Sequence, residues 1–363
     1  MTQKIKTAVL FGGCSSEHEI SLVSASSVIR NLPAEKYEII PVGITKDGRW
    51  YLYPGPVEKI AAGEWEKNPQ LTPAFLSPDR KTHGLVAVGA DGARTIRLDC
   101  VFPVLHGRNG EDGTIQGLLE LSGLPFVGCG ALASALCMDK AVTHSLLGNA
   151  GIPCAKYLWF YRDAYTGDGI RKIKTKIGAR LGYPVFVKPA NSGSSVGVVK
   201  AKTEEELDGA VAAAAAESNK ILVEEAVSGQ EIECAVLGNR NPEAAAVVGE
   251  IVASAAFYDY DDKYKSGKSK LNIPAHLDAA VAEKVRDTAV HAFRALGCRG
   301  FARVDFFVRG GSEVLLNELN TIPGFTPISM YPKLWDASGL SYGKLLDRMV
   351  SLSFENDAQD YKR

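Results

Sequence analysis

The chain has 363 residues, which is long for one hydrophobic core and favours two or three domains. Hydrophobic residues make up 46% and charged residues 23%, and these globular values exclude a disordered or collagen-like chain. The formal net charge of −1 predicts no dominant electrostatic attraction to nucleic acid or to an anionic membrane.

The N-terminus and the cysteines indicate the compartment. The apolar run from Ala8 to Phe11 is too short for a signal peptide, and no stretch approaches the ~18 to 20 apolar residues of a membrane span. The seven cysteines are odd in number, scattered and without a CxxC pair, which favours reduced thiols over a disulfide framework. We therefore expect a soluble, cytoplasmic protein.

The first predicted elements form the opening of a βαβ unit. The run from Thr7 to Phe11 is typical of a buried parallel strand and ends in two glycines. A helix-like stretch from Leu22 to Leu32 and a second strand from Tyr37 to Ile44 follow. Strand, glycine turn, helix and strand in this order predict an open α/β sheet.

A third apolar run, 98–105, leads directly into the segment HGRNGEDG. The stretch 50–97 before it is rich in Pro, Gly and Lys and is interpreted as a peripheral excursion. A helix over 114–122 and a short strand over 125–127 complete the unit. We predict a first domain over 1–128 with an open parallel sheet.

The second unit, predicted over 129–226, begins with one helix from Ala131 to Gly148. Strands over 184–188 and 198–200 flank a Gly/Ser-rich loop and form a hairpin. An alanine-rich helix over 204–217 leads to a strand over 221–225.

The third unit, predicted over 227–363, is mainly strands, at 231–237, 245–252, 302–308 and 313–318. It also contains a helix over 278–296 that ends at a glycine, a C-cap signal. A charged, tyrosine-rich loop spans 258–270.

An acidic cluster falls on two strands of the third unit. Residues two apart on a strand share a face, so Arg303 and Asp305 point together, as do Glu318 and Asn320. Two carboxylates and an amide oxygen suit Mg²⁺ held beside phosphates. The alternative is a solvated strand face, but the strands are otherwise apolar and favour the metal site.

The Gly/Ser loop over 191–197 can turn successive backbone N–H groups towards an anion. It is neither a Walker A loop nor a dinucleotide fingerprint, and flexible hairpin tips look similar. Lys188, inside the apolar strand before it, needs a partner, and a nucleotide phosphate is one candidate.

The segment 224–231 follows a strand and could contact a nucleoside, with its acids accepting hydrogen bonds and its backbone facing adenine. Exposed acids at a strand end are the alternative. Glu17 and His106 both follow strands of the first sheet, at the carboxyl edge where open sheets bind ligands. A tight turn with a helix cap and a structural histidine are the alternatives there.

The stretches GGCSSEHEIS, LHGRNGEDGTIQGLLEL, CMDK, VFVKPANSGSSVG, FYDYDDKY, GFARVDFF and NELNTIPGFT, in this order, resemble the D-alanine–D-alanine ligases of the ATP-grasp superfamily. The resemblance runs from residue 5 to about 350 and is nearest to the branch of the vancomycin-resistance ligases. It implies a three-domain ATP-grasp fold of mixed α/β and α+β character.

The resemblance also implies a role for each matching position. The residues implied to bind ATP are Lys140, Lys188, Ser194, Ser195, Glu224, Val227, Glu231 and Lys263. Those implied to bind the amino-acid substrates are Glu17, His106, Ser329 and Met330. The implied catalytic groups are Glu17, Ser194, Tyr264, Arg303 and Gly324, and the implied metal ligands are Asp305, Glu318 and Asn320.

The activity implied by the resemblance is ATP-dependent joining of two D-alanines through an acyl phosphate, for peptidoglycan precursors. ATP, two Mg²⁺ ions that Mn²⁺ could replace, and D-alanine are the implied ligands, and a homodimer is expected. Pro327 and Ile328 depart from the family pattern beside the second substrate. Met330 stands where resistance-type ligases carry arginine, which favours D-alanine over D-serine or D-lactate as acceptor.

Two alternatives come from other protein classes. A non-catalytic nucleotide-binding regulator would be expected to lose the phosphate lysines and the metal ligands, which are present here. A Rossmann dehydrogenase requires GxGxxG after the first strand, where this chain has GGCSSE.

Overall fold

A computed structural model describes residues 3–193, 195–252 and 270–360, with only the backbone described for 356–360. The helices are α1 His18–Asn31, α2 Val57–Ala61, α3 Thr114–Ser122, α4 Ala131–Met138, α5 Lys140–Asn149, α6 Asp168–Arg180, α7 Leu207–Glu217, α8 Ala279–Ala295, α9 Met330–Ala337 and α10 Tyr342–Asp360. The first strands are β1 Ile5–Gly12, β2 Tyr37–Ile44, β3 Trp50–Leu52, β4 Thr72–Leu76, β5 Gly84–Gly89, β6 Gly92–Arg97 and β7 Cys100–Pro103. The remaining strands are β8 Tyr157–Tyr161, β9 Val185–Pro189, β10 Val199–Ala201, β11 Lys220–Glu225, β12 Gln230–Leu237, β13 Glu243–Ala244, β14 Gly249–Val252, β15 Lys270–Asn272, β16 Phe301–Arg309 and β17 Glu313–Asn320.

The N-terminal sheet is mixed, so the prediction of a parallel sheet is wrong. Within the described residues its strand order is β6-β5-β4-β3-β2-β1-β7. Only β1 pairs in parallel, with β2 and with β7, and each later pairing is antiparallel. The stretch 50–97 therefore extends the sheet and is not a peripheral excursion. Strand β6 is almost wholly exposed, so no apolar alternation marked it in the sequence.

The helix predicted from Ala131 to Gly148 is two helices that meet at Asp139. The Asp139 carboxylate accepts hydrogen bonds from the backbone N–H groups of Ala141 and Val142, both at 3.1 Å, and so caps α5. Aspartate is a preferred N-cap because it satisfies donors that have no partner inside the helix. The break makes Lys140 the first residue of α5.

The central sheet has the order β10-β9-β11-β8 with antiparallel pairing throughout. The predicted hairpin is confirmed as β9 and β10, and its tip carries the Gly/Ser loop. Strand β8 and helix α6 were not predicted. The alanine-rich helix begins three residues later than predicted, at Leu207.

The C-terminal sheet brings the predicted acidic positions into register. Its order in the described residues is β15-β14-β12-β16-β17, with β13 also paired to β12. Asp305 lies opposite Glu233 on one side and Glu318 on the other, and Arg303 lies opposite Asn320. The strand predicted over 245–252 is shorter, since only 249–252 are in strand β14.

The three sheets fall within the predicted ranges 1–128, 129–226 and 227–363. Helices α4 and α5, however, bury Ala133, Cys137 and Leu147 among strands of the C-terminal sheet. The cysteines are all free thiols, and the Sγ atoms of Cys137 and Cys298 in that core lie 3.7 Å apart. In the parts of the chain described, no helix combines the length and apolarity needed to cross a membrane.

Candidate active site

Two adjoining cavities lie between the sheets. The larger, of about 530 Å³, is bounded by the central and C-terminal sheets and is called the cleft. The smaller, of about 120 Å³, reaches the N-terminal sheet edge and is called the inner cavity. Residues that border both are Lys140, Gly193, Glu233, Ile251 and Glu318. A molecule in the cleft can therefore present one end to a second molecule in the inner cavity.

Lys188 is in the cleft and is paired with a carboxylate. Its ammonium forms a salt bridge with Glu224, whose other oxygen lies 3.5 Å from His144 Nε2. Burial alone would raise the pKa of Glu224, but the Lys188 ammonium outweighs it and holds that pKa below its ordinary value. Burial alone would lower the pKa of Lys188, but Glu224 raises it. The prediction that Lys188 needs a partner is confirmed, and within this chain the partner is Glu224.

Lys140 reaches the junction of the two cavities from the start of α5. Its Nζ donates to the Ser192 carbonyl oxygen at 2.9 Å and lies 3.2 Å from Glu318 Oε2. The side chain is 14% exposed, so a cation is held at the point where the cavities meet. The Asp139 cap fixes the position of this lysine, because it determines where α5 begins.

The remaining predicted nucleotide contacts border the cleft. They are Ser195, Val227 and Glu231, together with the backbone segment between β11 and β12. Ser194, Lys263 and Tyr264, predicted to bind ATP or to act in catalysis, lie outside the described residues.

Glu17, immediately before α1, places a buried carboxylate in the inner cavity. Two glycines make room for it. A Cβ atom at Gly107 would lie 2.5 Å from Glu17 Oε2, and one at Gly193 would lie 2.9 Å away. Gly107 also has φ +69°, a left-handed conformation that favours glycine. The loop after β7 and the Gly/Ser loop therefore both approach the same carboxylate.

His106 and Glu111 join the first domain to the loop that follows β17. His106 bonds through Nδ1 to the Ile322 carbonyl and through Nε2 to Ser24 Oγ, both at 3.0 Å. Glu111 accepts from the backbone N–H groups of Gly107 at 2.8 Å and Ile322 at 3.2 Å. Burial raises the pKa of Glu111, helped by the Glu17 charge, to about 8, and burial lowers the pKa of His106.

The end of the inner cavity is formed by the start of α9. Ser329 Oγ accepts from the Thr326 backbone N–H at 3.0 Å, and a Cβ at Gly324 would lie 2.7 Å from that same Oγ. Met330 is 4% exposed and packs on Gly249 of β14, where an added Cβ would lie 2.4 Å from its sulfur. Met330 thus forms an apolar wall with no hydrogen-bond donor.

The predicted metal ligands lie together and are already engaged. Arg303 binds both Asp305 oxygens at 2.7 Å, and Asn320 Nδ2 donates to Asp305 at 2.9 Å. Within the described ranges, no three His, Cys, Asp or Glu side chains form a ready-made metal cage. Two adjacent carboxylates and an amide nevertheless fit Mg²⁺, which commonly takes one or two carboxylates and completes its shell with phosphates and water.

Three residues in the site were missed from the sequence. Glu111 lies inside HGRNGEDG, so its motif could have revealed it. Glu233 follows Glu231 by two residues on a strand, and that spacing could have revealed a shared face. His144 follows Lys140 by four residues, the spacing of one helix face, and that spacing could have revealed it.

Two sheets that enclose a cleft with paired lysines and acids, beside a second cavity at an α/β sheet edge, define the ATP-grasp class of proteins. Family models described as "D-ala D-ala ligase N-terminus" and "D-ala D-ala ligase C-terminus" match residues 6–129 and 146–351. The chain belongs to the D-alanine–D-alanine ligase family.

Individual relatives agree with the family models. A D-alanine–D-alanine ligase from a Thermoanaerobacter species is 53% identical over 98% of each chain. One from Caldicellulosiruptor bescii is 50% identical over 98% of this chain and 97% of its own. Among solved structures, the VanG D-Ala:D-Ser ligase of Enterococcus faecalis has a TM-score of 0.88, 43% identity, and coverage of 97% and 100%. The Coxiella burnetii D-alanine–D-alanine ligase has 0.84 and 38%, with coverage of 98% and 97%.

Proposed function

We propose that the chain joins two D-alanine molecules to D-alanyl-D-alanine for peptidoglycan precursors, with ATP converted to ADP and phosphate. The observation that carries the proposal is the junction of the two cavities, where Lys140 and Glu318 border both. A phosphate that extends from the cleft would meet an amino acid in the inner cavity at that junction.

ATP occupies the cleft. The adenine contacts the backbone near Val227, and Glu231 accepts from the ribose. Glu224 acts at the adenine end and also holds Lys188 in place. Lys140, Lys188 and Ser195 bind the phosphates, since two ammonium groups compensate for the negative charge that phosphoryl transfer develops.

The first D-alanine binds through its ammonium to Glu17. Its carboxylate oxygen attacks the γ-phosphorus of ATP, the bond to the β-phosphate oxygen breaks, and ADP leaves. The product is an acyl phosphate. His106 and Glu111 support this step from outside the reaction, because they fix the loop over 321–326 against the first domain.

Asp305, Glu318 and Asn320 would hold two Mg²⁺ ions, or Mn²⁺ in their place, which neutralise charge on the ATP phosphates. These three side chains suit Mg²⁺ because each offers a carboxylate or amide oxygen as a metal ligand. Asp305 already accepts hydrogen bonds from Arg303 and Asn320, so a metal ion bound to it would share the carboxylate with these two donors or displace one of them.

The second D-alanine binds near Ser329 and Met330. Its amine, after loss of a proton, attacks the acyl carbon, and phosphate leaves with the electrons of the broken C–O bond. Arg303 and the Gly324 backbone N–H stabilise the oxyanion of the tetrahedral species. The buried thioether of Met330 suits the methyl group of D-alanine and offers no hydrogen-bond donor to the hydroxyl of D-serine.

Water must be excluded, because an acyl phosphate hydrolyses readily. We propose that the segment carrying Lys263 and Tyr264 closes over the phosphates, with Tyr264 and Ser194 completing a hydrogen-bonded set with Glu17. The family resemblance supports these roles.

Each proposed domain has its own role in substrate binding. Residues 1–128 bind the first amino acid, 129–226 and 227–363 enclose ATP, and the last also carries the metal ligands and the acceptor pocket.

We place the protein in the cytoplasm as a homodimer. Leu121 and Leu132, exposed by 65% and 73% on neighbouring helices α3 and α4, favour burial against a second copy. Sedimentation analysis tests the dimer.

A coupled assay of ADP release tests the function. With ATP and Mg²⁺, ADP release should depend on D-alanine and should be lost on Glu17→Gln, which removes the charge partner of the ammonium. ADP release that is equally fast without D-alanine would contradict the proposal and indicate an ATPase.

A further inference from the structure

One buried carboxylate at the site has no role in the proposed reaction. Glu233 on β12 is 6% exposed and borders both the cleft and the inner cavity. Its Oε2 lies 3.1 Å from Arg303 Nε. Arg303 is therefore shared between two carboxylates, with Asp305 on its own strand and Glu233 on the neighbouring one.

Arg303 and its partner Asp305 border different cavities. Asp305 borders the cleft, whereas Arg303 borders the inner cavity. A metal ion bound to Asp305 would compete with the guanidinium for the same two oxygens, both of which Arg303 now contacts at 2.7 Å. A buried guanidinium left without a carboxylate would be costly, because desolvation of an ion is repaid only by a partner.

We propose that Glu233 is a positioning residue that retains Arg303 in the inner cavity when Asp305 turns to a metal ion. The inference rests on the proposed function, because that function assigns the metal to Asp305. Glu233 lowers the cost of releasing Asp305, since Arg303 keeps one charged partner throughout. It also keeps the guanidinium where the oxyanion of the second step forms.

The backbone supports this arrangement independently of the side-chain distances. Glu233 and Asp305 are directly opposite in the β12–β16 register, and Arg303 is opposite Ala235. Directly opposite residues share a face of the sheet, and residues two apart on one strand share it too. The small side chain of Ala235 leaves the guanidinium room to lean towards Glu233.

A double-mutant cycle on metal affinity tests the proposal. Mn²⁺ binding is measured by electron paramagnetic resonance with a non-hydrolysable ATP analogue, for the wild type, Glu233→Gln, Arg303→Met and the double variant. Glu233→Gln should weaken Mn²⁺ binding about tenfold, because Arg303 loses the carboxylate that would retain it when Asp305 turns to the metal ion. In the Arg303→Met background the same change should have little effect, since no guanidinium remains to be displaced.

Two results would overturn the proposal: unchanged Mn²⁺ affinity in Glu233→Gln, or equal weakening in both backgrounds, which would indicate a simple loss of negative charge. Glu250→Gln is the matched control, because Glu250 is similarly buried on β14 and bonds to Gln230 and Asn272. It should leave Mn²⁺ affinity unchanged.

Thermal unfolding establishes that each variant is folded. If Arg303→Met does not fold, Arg303→Lys replaces it, because lysine keeps the charge but cannot fork across Asp305. The effect of Glu233→Gln should then be several-fold smaller than beside arginine, and an undiminished effect would overturn the proposal. Dipeptide formation by the wild type is measured in parallel, so that a failed cycle with normal product rejects only the role of Glu233.

Discussion

Arg303 forks across Asp305, with Nε and Nη2 each 2.7 Å from a different carboxylate oxygen. Burial alone would lower the pKa of the guanidinium, but Asp305 and Glu233 raise it well above its ordinary value. One pair thus joins the proposed metal site to the proposed oxyanion site. A substitution at either of these two sites should therefore also alter the other.

Asn320→Asp should disturb metal binding and lower turnover at least tenfold. The substitution removes the amide that donates to Asp305 at 2.9 Å and puts a second negative charge beside that carboxylate. Turnover measured across a Mg²⁺ titration checks this. An unchanged Mg²⁺ dependence in Asn320→Asp would remove Asn320 from the metal site.

Glu224→Gln should destabilise the fold by about 3 kcal/mol at pH 7, because Lys188 is left buried without its carboxylate. A carboxyl whose folded pKa lies below its unfolded value stabilises the fold above that unfolded value, near 4.5. This stabilisation is lost as the pH falls through the folded pKa. Urea unfolding at pH 3 to 7 should therefore show a shallower acid decline for Glu224→Gln than for the wild type. An equal decline in stability with falling pH for the wild type and Glu224→Gln would contradict the pairing of Glu224 with Lys188.

Gly107→Ala should raise the KM for the first D-alanine about tenfold or more and leave the KM for ATP nearly unchanged. The added Cβ would lie 2.5 Å from Glu17 Oε2 and must displace that carboxylate. The left-handed φ adds strain of about 1 kcal/mol. Gly151→Ala is the control, because it has a similar φ of +73° but nothing within 4 Å. An equal effect of both substitutions would indicate backbone strain alone.

Met330→Arg should shift acceptor preference away from D-alanine. Arginine brings donors to a buried apolar wall, and it cannot occupy the space that the sulfur fills against Gly249. Met330→Leu keeps the wall apolar and should retain D-alanine as the preferred acceptor. Product ratios from mixed D-alanine and D-serine are measured by mass spectrometry. The same ratios for the wild type and Met330→Arg would show that Met330 does not determine specificity.

Sequence patterning was sufficient for the strands that are rich in buried apolar residues. Strands β1, β2, β9, β11, β12, β16 and β17 were all predicted within a few residues, because each forms an apolar run. The strands between 50 and 97 were not predicted. They are short or, like β6, exposed, so neither alternation nor length distinguishes them from loops.

The site was predictable in its composition but not in its internal contacts. Residue types and order identified Lys188, Glu224, Arg303 and Asp305, yet no spacing could pair Lys188 with Glu224. That contact depends on the register of β9 and β11, which places Lys188 opposite Leu222, two residues from Glu224. Register is determined by packing across the sheet, which local sequence does not reveal.

The most direct test of the proposed function is the mass of the product formed from ATP, Mg²⁺ and D-alanine, alone and with an equal concentration of D-serine or D-lactate. D-alanyl-D-alanine and ADP should form in equal amounts, and the same dipeptide should be the main product in both mixtures. ADP without any dipeptide, or a main product that contains D-serine or D-lactate, would contradict it.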